Sequence, residues 1–382
     1  MTSQKKSKFT FPVGYYQFHK DQVYNFQLNR WHSLGYARFE DMKEVGKKID
    51  SFGDWKSEML NLAETAVSEK RFMNAAFYYR AAEFYVLPDN PEKKLYYDKF
   101  IKYFYKAFEN DAIERFEVPY GKTFLPAMKI PPAGEKNKST IVMHGGFDSI
   151  VEELYSIIKY FSDHGYEVIA FEGPGQGTAR RKYGLVFDYE WEKPAEAVLD
   201  YFNTNDVTWV GISMGGWLGL RAAAYESRIK RIIASSVSFD VNQYTNIVGQ
   251  QFAKLFLRYF RNYTNNAMKK KMKKNPMYSW FSSHLMYIND KEVPIEAFDV
   301  LLQLNEENLH SDLVRQDVLI LTGRKDHMIP FKMHKIQVKA LTNAKSVTEK
   351  VFTEETSAHN HCQVGNIGLA LDTMIKWIEE KL

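Results

Sequence analysis

VTWVGISMGGWLGLR, residues 207–221, is the stretch on which the fold turns. Val207, Trp209 and Val210 read as a short apolar strand, Gly211-Ile212-Ser213-Met214-Gly215 as a turn, and a helix opens at Gly216 and runs through Leu218, Leu220 and residues 222–224. G-x-S-x-G between a strand and a helix is the nucleophile-elbow pattern. Its glycines answer a steric need: a serine forced into a sharp, strained turn leaves no room for side chains on its neighbours. Ser213 is thereby carried to the end of a sheet and to the N-terminus of a helix, whose dipole favours the negative charge of acyl transfer.

Upstream, Thr140-Ile141-Val142-Met143 reads as an apolar strand running into His144-Gly145-Gly146-Phe147-Asp148. Glycines there let backbone N–H groups turn toward a developing alkoxide, so the N–H of Gly146 or Phe147, together with that of Met214, is the expected oxyanion hole. Residues 151–164 read as helix, 166–171 as strand, 188–203 as helix and 229–236 as strand, the alternation of a parallel sheet with crossover helices. The loop Glu172-Gly173-Pro174-Gly175-Gln176-Gly177 lacks the Gly-Lys-Ser/Thr ending of a phosphate cradle, so no nucleotide cofactor is expected.

Downstream, the strand 317–322 leads into Gly323-Arg324-Lys325-Asp326, which places Asp326 just past a strand end, where a triad acid belongs. The strand 347–352 precedes His359-Asn360-His361-Cys362, and a helix of residues 366–381 closes the chain. A serine needs a base, and the base needs a carboxylate to fix its tautomer. Spacing leaves His359 and His361 both open as that base, and Asp240 is a rival acid. Cys362 reads as a packed neighbour of the histidine, since the serine already holds the elbow. The histidine pair has no further cluster at ligand spacing, so no metal is expected.

Residues 1–111 carry helical periodicity and form an expected N-terminal helical domain, with 112–382 as the catalytic domain. Phe72, Ala75, Ala76, Tyr79, Ala82 and Val86 share one helix face, and Pro88 ends that helix. Asn90-Pro91 starts the next with an N-cap and an N1 proline. Two strands should flank the turn Pro119-Tyr120-Gly121-Lys122, and residues 134–138 should form a surface turn. Residues 240–310 interrupt the strand rhythm with helical, aromatic-rich segments, which suggests a lid over the sheet's C-terminal edge. The lysines of 269–274 inside it read as a solvated face, with recruitment of an acidic substrate or membrane surface as the sharper alternative.

At 382 residues the chain has length for about two domains. A net charge of +4 is too small to argue for nucleic acid. The single cysteine rules out an intrachain disulfide, and the charged N-terminus has no apolar run behind it to form a signal peptide. No stretch approaches the ~18 apolar residues of a membrane span. These features fit a cytoplasmic protein acting on a small-molecule or short peptide substrate, with aromatics abundant enough to support a homodimer.

The segments GISMGG, MHGGFDS, FEGPGQG, GRKDHMIP and HCQVGN, behind a helical N-terminal region, resemble α/β-hydrolases of the 2,6-dihydroxypseudooxynicotine hydrolase and fermentation-respiration-switch type. That group is similar in turn to the acylaminoacyl-peptidase and prolyl-oligopeptidase group. The resemblance implies a doubly wound, mostly parallel sheet and a catalytic triad of Ser213, Asp326 and His361, the histidine directly before the cysteine being the base. It implies a serine hydrolase of small esters, amides or acyl-aminoacyl substrates, with no cofactor. The pseudooxynicotine hydrolases themselves cleave a carbon–carbon bond with an extra glutamate in the lid region, and residues 239–244 offer no matching glutamate. A carbon–carbon hydrolase acting on a diketone-type substrate and a non-catalytic binding protein on the same fold are the alternatives.

Overall fold

The computed structural model describes residues 9–134 and 136–382; the start of the N-terminal stretch and Glu135 of the expected surface turn lie outside the described residues. Apolar runs too short for helices become β3 (Thr140–His144), β4 (Glu167–Phe171), β5 (Val207–Ile212), β6 (Ile229–Ser235) and β7 (Asp317–Gly323). They are buried almost throughout, as central parallel strands covered on both faces must be. The hairpin β1 (Glu114–Tyr120) and β2 (Thr123–Ile130) turns at Gly121-Lys122, and β8 (Ser346–Phe352) closes the far edge. The sheet order is β1-β2-β4-β3-β5-β6-β7-β8. Only the β1–β2 and β2–β4 pairings are antiparallel. The fold is therefore α/β, with an eight-stranded, mostly parallel sheet and an N-terminal helical region.

Five helices precede the sheet: α1 (Gln22–Ser33), α2 (Phe39–Gly46), α3 (Phe52–Ser68), α4 (Phe72–Phe84) and α5 (Pro91–Ala107). Asn90 caps α5 through its side chain, with Pro91 inside the first turn. Two expectations for α4 give way. The helix stops at Phe84, short of Val86, and it is buried all round from Ala75 to Phe84, not along one face. Arg80 and Glu83 are inside because their charges are answered there. Arg80 pairs with Glu83 and Glu153, and Glu83 Oε1 lies 2.8 Å from both Lys93 Nζ and Arg181 NH2. Burial of charge is tolerable only with such partners.

Crossover helices α6 (Tyr155–Asp163), α7 (Gly177–Arg181), α8 (Glu192–Tyr201) and α9 (Met214–Tyr225) follow, α8 shorter at both ends than its periodicity suggested. Between β6 and β7 lie α10 (Ile247–Tyr259), α11 (Arg261–Lys274), α12 (Pro276–Ile288), α13 (Pro294–Leu301) and α14 (Glu306–Leu309), with no strand among the described residues. Helices α15 (Lys332–Ala340) and α16 (Ile367–Lys381) complete the chain. Alternate strand residues feed two apolar layers. Met143, Val168, Val210 and Leu319 pack with the N-terminal helices and α16, while Val142, Ile169, Trp209 and Val318 pack with residues of α8 and α9. Among the described residues no helix is long and apolar enough to cross a membrane.

Candidate active site

Strand β5 ends at Ile212 and α9 begins at Met214, so the turn is one residue long and the helix starts two residues earlier than the sequence suggested. Ser213 makes the reversal alone, at φ 61° and ψ −129°. A non-glycine residue held there costs about 1–3 kcal/mol, and the surroundings must enforce it. They do: the Ser213 N–H donates to the Ser235 carbonyl at 2.9 Å. A Cβ on Gly211 would sit 2.1 Å from the Gly215 carbonyl oxygen, and one on Gly215 would sit 2.6 Å from that of Gly145. The two glycines of the motif are thus required by close backbone approach, and Ser213 is left half-buried at the sheet's C-terminal edge.

Asp326 and His361 follow β7 and β8 to the same edge. Asp326 Oδ1 accepts the N–H groups of Met328 and Ile329, each at 2.9 Å, which fixes the carboxylate and leaves Oδ2 for the imidazole. His361 Nδ1 lies 2.7 Å from that Oδ2, and His361 Nε2 lies 2.9 Å from Ser213 Oγ. With Nδ1–H donating to the carboxylate, Nε2 is the acceptor for the serine hydroxyl. The histidine loop reaches the serine because Gly323 has no side chain; a Cβ there would meet the carbonyl oxygens of Asn360 and His359 at 2.3 and 2.4 Å. Cys362 and Gln363 adopt left-handed backbone, and the Cys362 N–H donates to Ser236 Oγ at 2.9 Å. Cys362 is the packed neighbour that the sequence suggested.

Burial alone would lower the His361 pKa, but the Cys362 sulfur and the Asp326 carboxylate beside it reverse the sign and raise it. Burial would raise the Asp326 carboxyl, yet His361 and the loop N–H groups hold it below its ordinary value. Of the rivals, His359 packs its ring against Tyr15 and touches Asn360, away from the serine. Asp240 turns back on its own segment, accepting from the Asn242 backbone at 2.7 Å and from Gln243 Nε2 at 3.1 Å.

The expected oxyanion segment lies against the elbow. A Cβ on Gly146 would come 2.7 Å from the Met214 nitrogen, so Gly146 and Met214 are in backbone contact. Among the described residues, the N–H groups of Phe147 and Met214 have no internal acceptor. Gln176, which sequence reasoning placed only in a glycine-rich loop, clamps this segment: its Nε2 donates to the Gly145 and Gly146 carbonyls at 2.8 and 2.9 Å. The two peptide units are thereby held in place, and across a trans peptide the N–H of the following residue, Gly146 or Phe147, points opposite to the clamped carbonyl. The loop carrying Gln176 is itself pinned, because Glu172 accepts the N–H groups of Val151 and Thr178. Beneath lies His144, whose Nε2 accepts from Trp191 Nε1 at 3.1 Å and whose pKa burial lowers to about 4, so it is neutral near pH 7.

Aromatic side chains from distant elements wall the site. Phe26 of α1 lies 4.6 Å from the His327 ring and 6.2 Å from that of His361. Phe281 of α12 lies 5.4 Å from Phe147, and the neighbouring Trp280 donates to the Phe84 carbonyl at 2.7 Å. The N-terminal helices and the 240–310 insertion thus meet over the oxyanion segment. Asp148 ties the same segment to α4 and α7: Arg80 NH2 of α4 approaches its carboxylate at 3.5 Å and Arg181 NH2 of α7 at 3.6 Å.

The sequence model of the alpha/beta hydrolase fold family matches residues 140–305. "Hydrolase acrC" of Aspergillus aculeatus is 30% identical over 48% of this chain and 50% of its own length. "20-hydroxy-prefusarin hydrolase FUS2" of Gibberella moniliformis is 33% identical over 46% of each. The chain spans about half the length of the curated relatives it matches. Among solved structures, that of 2,6-dihydroxy-pseudo-oxynicotine hydrolase covers 91% of this chain with a TM-score of 0.66 at 20% identity, a likeness of fold that includes the N-terminal helices. The sheet order, the strand–serine–helix turn and these matches agree on one architecture: the chain has the α/β-hydrolase fold.

Proposed function

We propose that the protein is a serine hydrolase in which Ser213 attacks a carbonyl, His361 takes and returns the proton, and Asp326 orients and stabilises the imidazolium. The observation that carries this reading is the unbroken chain from Ser213 Oγ to His361 Nε2 at 2.9 Å and from His361 Nδ1 to Asp326 Oδ2 at 2.7 Å. A hydroxyl so placed loses its proton as it adds to the carbonyl carbon, and the tetrahedral oxyanion is received by the N–H groups of Met214 and of Phe147 or Gly146. Collapse expels the alcohol or amine, protonated by His361, and water repeats the sequence on the acyl-enzyme.

The substrate is a small ester, amide or acylated amino acid. Phe26, Phe147 and Phe281 support an apolar acyl or leaving group, as aromatic walls favour flat or aliphatic surface. The names of the relatives fit hydrolysis in general. Carbon–carbon cleavage is weaker, because residues 239–244 supply only Asp240, whose carboxylate is occupied by its own segment.

Labelling by a fluorophosphonate probe tests the proposal. The wild-type chain should label, and Ser213→Ala should abolish both labelling and turnover of activated esters, a fall of about 10⁴-fold or more in kcat. A folded wild type that neither labels nor turns over an ester panel would leave a binding protein on a hydrolase scaffold.

A further inference from the structure

Residues 241–289 contain no aspartate or glutamate, yet eight lysines and arginines fall between Lys254 and Lys274. The whole chain carries only +4, so everything outside this stretch is net negative. The segment is therefore cationic against the charge of the rest of the molecule, which a merely solvated surface does not require.

Its apolar residues are no less one-sided. Val248, Phe252, Leu255, Phe256 and Tyr259 of α10 recur at i, i+4, i+7, i+8 and i+11, one stripe of a helix. In the folded chain that stripe faces solvent: Val248 is 63% exposed, Phe252 58% and Tyr259 65%. Phe260 and Tyr263 continue it past the junction with α11. None of the described side chains of α10 is buried. Lys269, Lys270, Lys271, Lys273 and Lys274 follow on α11, all exposed, whereas Arg261 is engaged by Asp299 at 2.6 Å.

We propose that α10 and α11 dock the protein peripherally on an anionic phospholipid surface, the stripe from Val248 to Tyr259 entering the boundary between headgroups and acyl chains and the 269–274 lysines lying over the phosphates. Amphipathic helices that combine aromatic and aliphatic side chains with a basic run bind this way, through buried apolar area plus attraction to anionic headgroups. A second copy of the chain fits less well, since pairing the stripes would oppose two cationic segments with no carboxylate from 241 to 289 to answer either. Single-stranded nucleic acid would use the rings for stacking, but Val248 and Leu255 offer nothing to a base.

The position of the helix gives docking a consequence. Asn246 caps α10, and two residues earlier the Tyr244 hydroxyl donates to Ser238 Oγ at 2.6 Å, just beyond the end of β6. The neighbouring Ser235 and Ser236 hold the elbow and the histidine loop. The N-terminal end of α10, and with it one end of the docking stripe, is therefore tethered beside the sheet edge that carries Ser213. Docking itself does not depend on the hydrolase reading.

Flotation with vesicles of phosphatidylcholine, alone or mixed with phosphatidylglycerol, tests the proposal on the full chain. The protein should float with the mixed vesicles, stay behind with phosphatidylcholine alone, and be released by high salt. Replacing Lys269, Lys270 and Lys271 by glutamine should weaken partitioning at least about tenfold, and Phe252→Glu with Tyr259→Glu should abolish it. Circular dichroism and ester turnover, unchanged in these surface variants, show that they are folded. Failure of the wild type to float with the mixed vesicles overturns the proposal. So does a wild-type dimer that Phe252→Glu dissociates without lipid, or tighter binding to a single-stranded oligonucleotide than to the mixed vesicles.

Discussion

The imidazole of His361 can accept the serine proton only when neutral, and its pKa is raised by the Cys362 sulfur and the Asp326 carboxylate against the pull of burial. Activity should therefore fall as pH drops through a pKa above the ordinary 6.5. A kcat/KM profile reads this directly, and an acid limb at or below 6.5 would show that Cys362 and Asp326 do not outweigh burial. Gln176 acts through other residues by holding the Gly145 and Gly146 carbonyls, so Gln176→Leu should lower kcat about tenfold or more while KM changes little. A larger KM effect than kcat effect would make it merely structural. At this scale the serine and aspartate were legible, because a strained turn and a strand end leave local marks. The choice between His359 and His361 was not, since both follow the same strand. The left-handed backbone at Cys362 and the close approach to Gly323 swing only His361 to the serine. Gln176 was invisible for another reason: its partners are carbonyls some thirty positions away in sequence.

Among the elements, the parallel strands were legible because both faces are buried and their sequences are continuously apolar. Helix α4 was legible as a helix but not in its surroundings, because what makes burial of Arg80 and Glu83 tolerable lies on other elements. Removing one charge leaves the others uncompensated, so Arg80→Met should destabilise the protein by about 3–5 kcal/mol in chemical denaturation. Acid adds a second reading of the same cluster. Burial would raise the Glu83 carboxyl, but Arg181, Arg80 and Lys93 hold it at about 2, below its ordinary 4.5. A depressed carboxylate contributes stability above its unfolded pKa and loses it as pH falls toward the folded one. Stability should therefore decline between about pH 4.5 and pH 2, and Glu83→Gln should flatten that decline. An unchanged acid dependence in Glu83→Gln would show that the cluster does not govern it.

For the molecule as a whole, sequence texture divides the chain near residue 111, yet one apolar cluster runs across that point. Phe77, Phe100 and Phe104 of the N-terminal helices belong to the same buried layer as Met143, Val168 and Leu319 of the sheet. The polar contacts cross it as well: the Tyr36 hydroxyl donates to the Glu153 carbonyl at 3.0 Å, and Arg80 reaches Asp148 beside the oxyanion segment. Composition cannot reveal such a crossing, because it registers which residues are apolar and not what they will pack against. Stripping residues 1–111 would expose one face of the sheet, take both Arg30 and Arg80 from Glu153, and leave Asp148 with Arg181 but without Arg80. A fragment of residues 112–382 should then be insoluble or bind a hydrophobic dye, and the intact chain should unfold in one cooperative transition followed alike by fluorescence and circular dichroism. A soluble fragment that keeps a cooperative transition and labels at Ser213 would show instead that the sheet and its crossover helices carry their own stability, with the N-terminal helices serving only to close the site through Phe26.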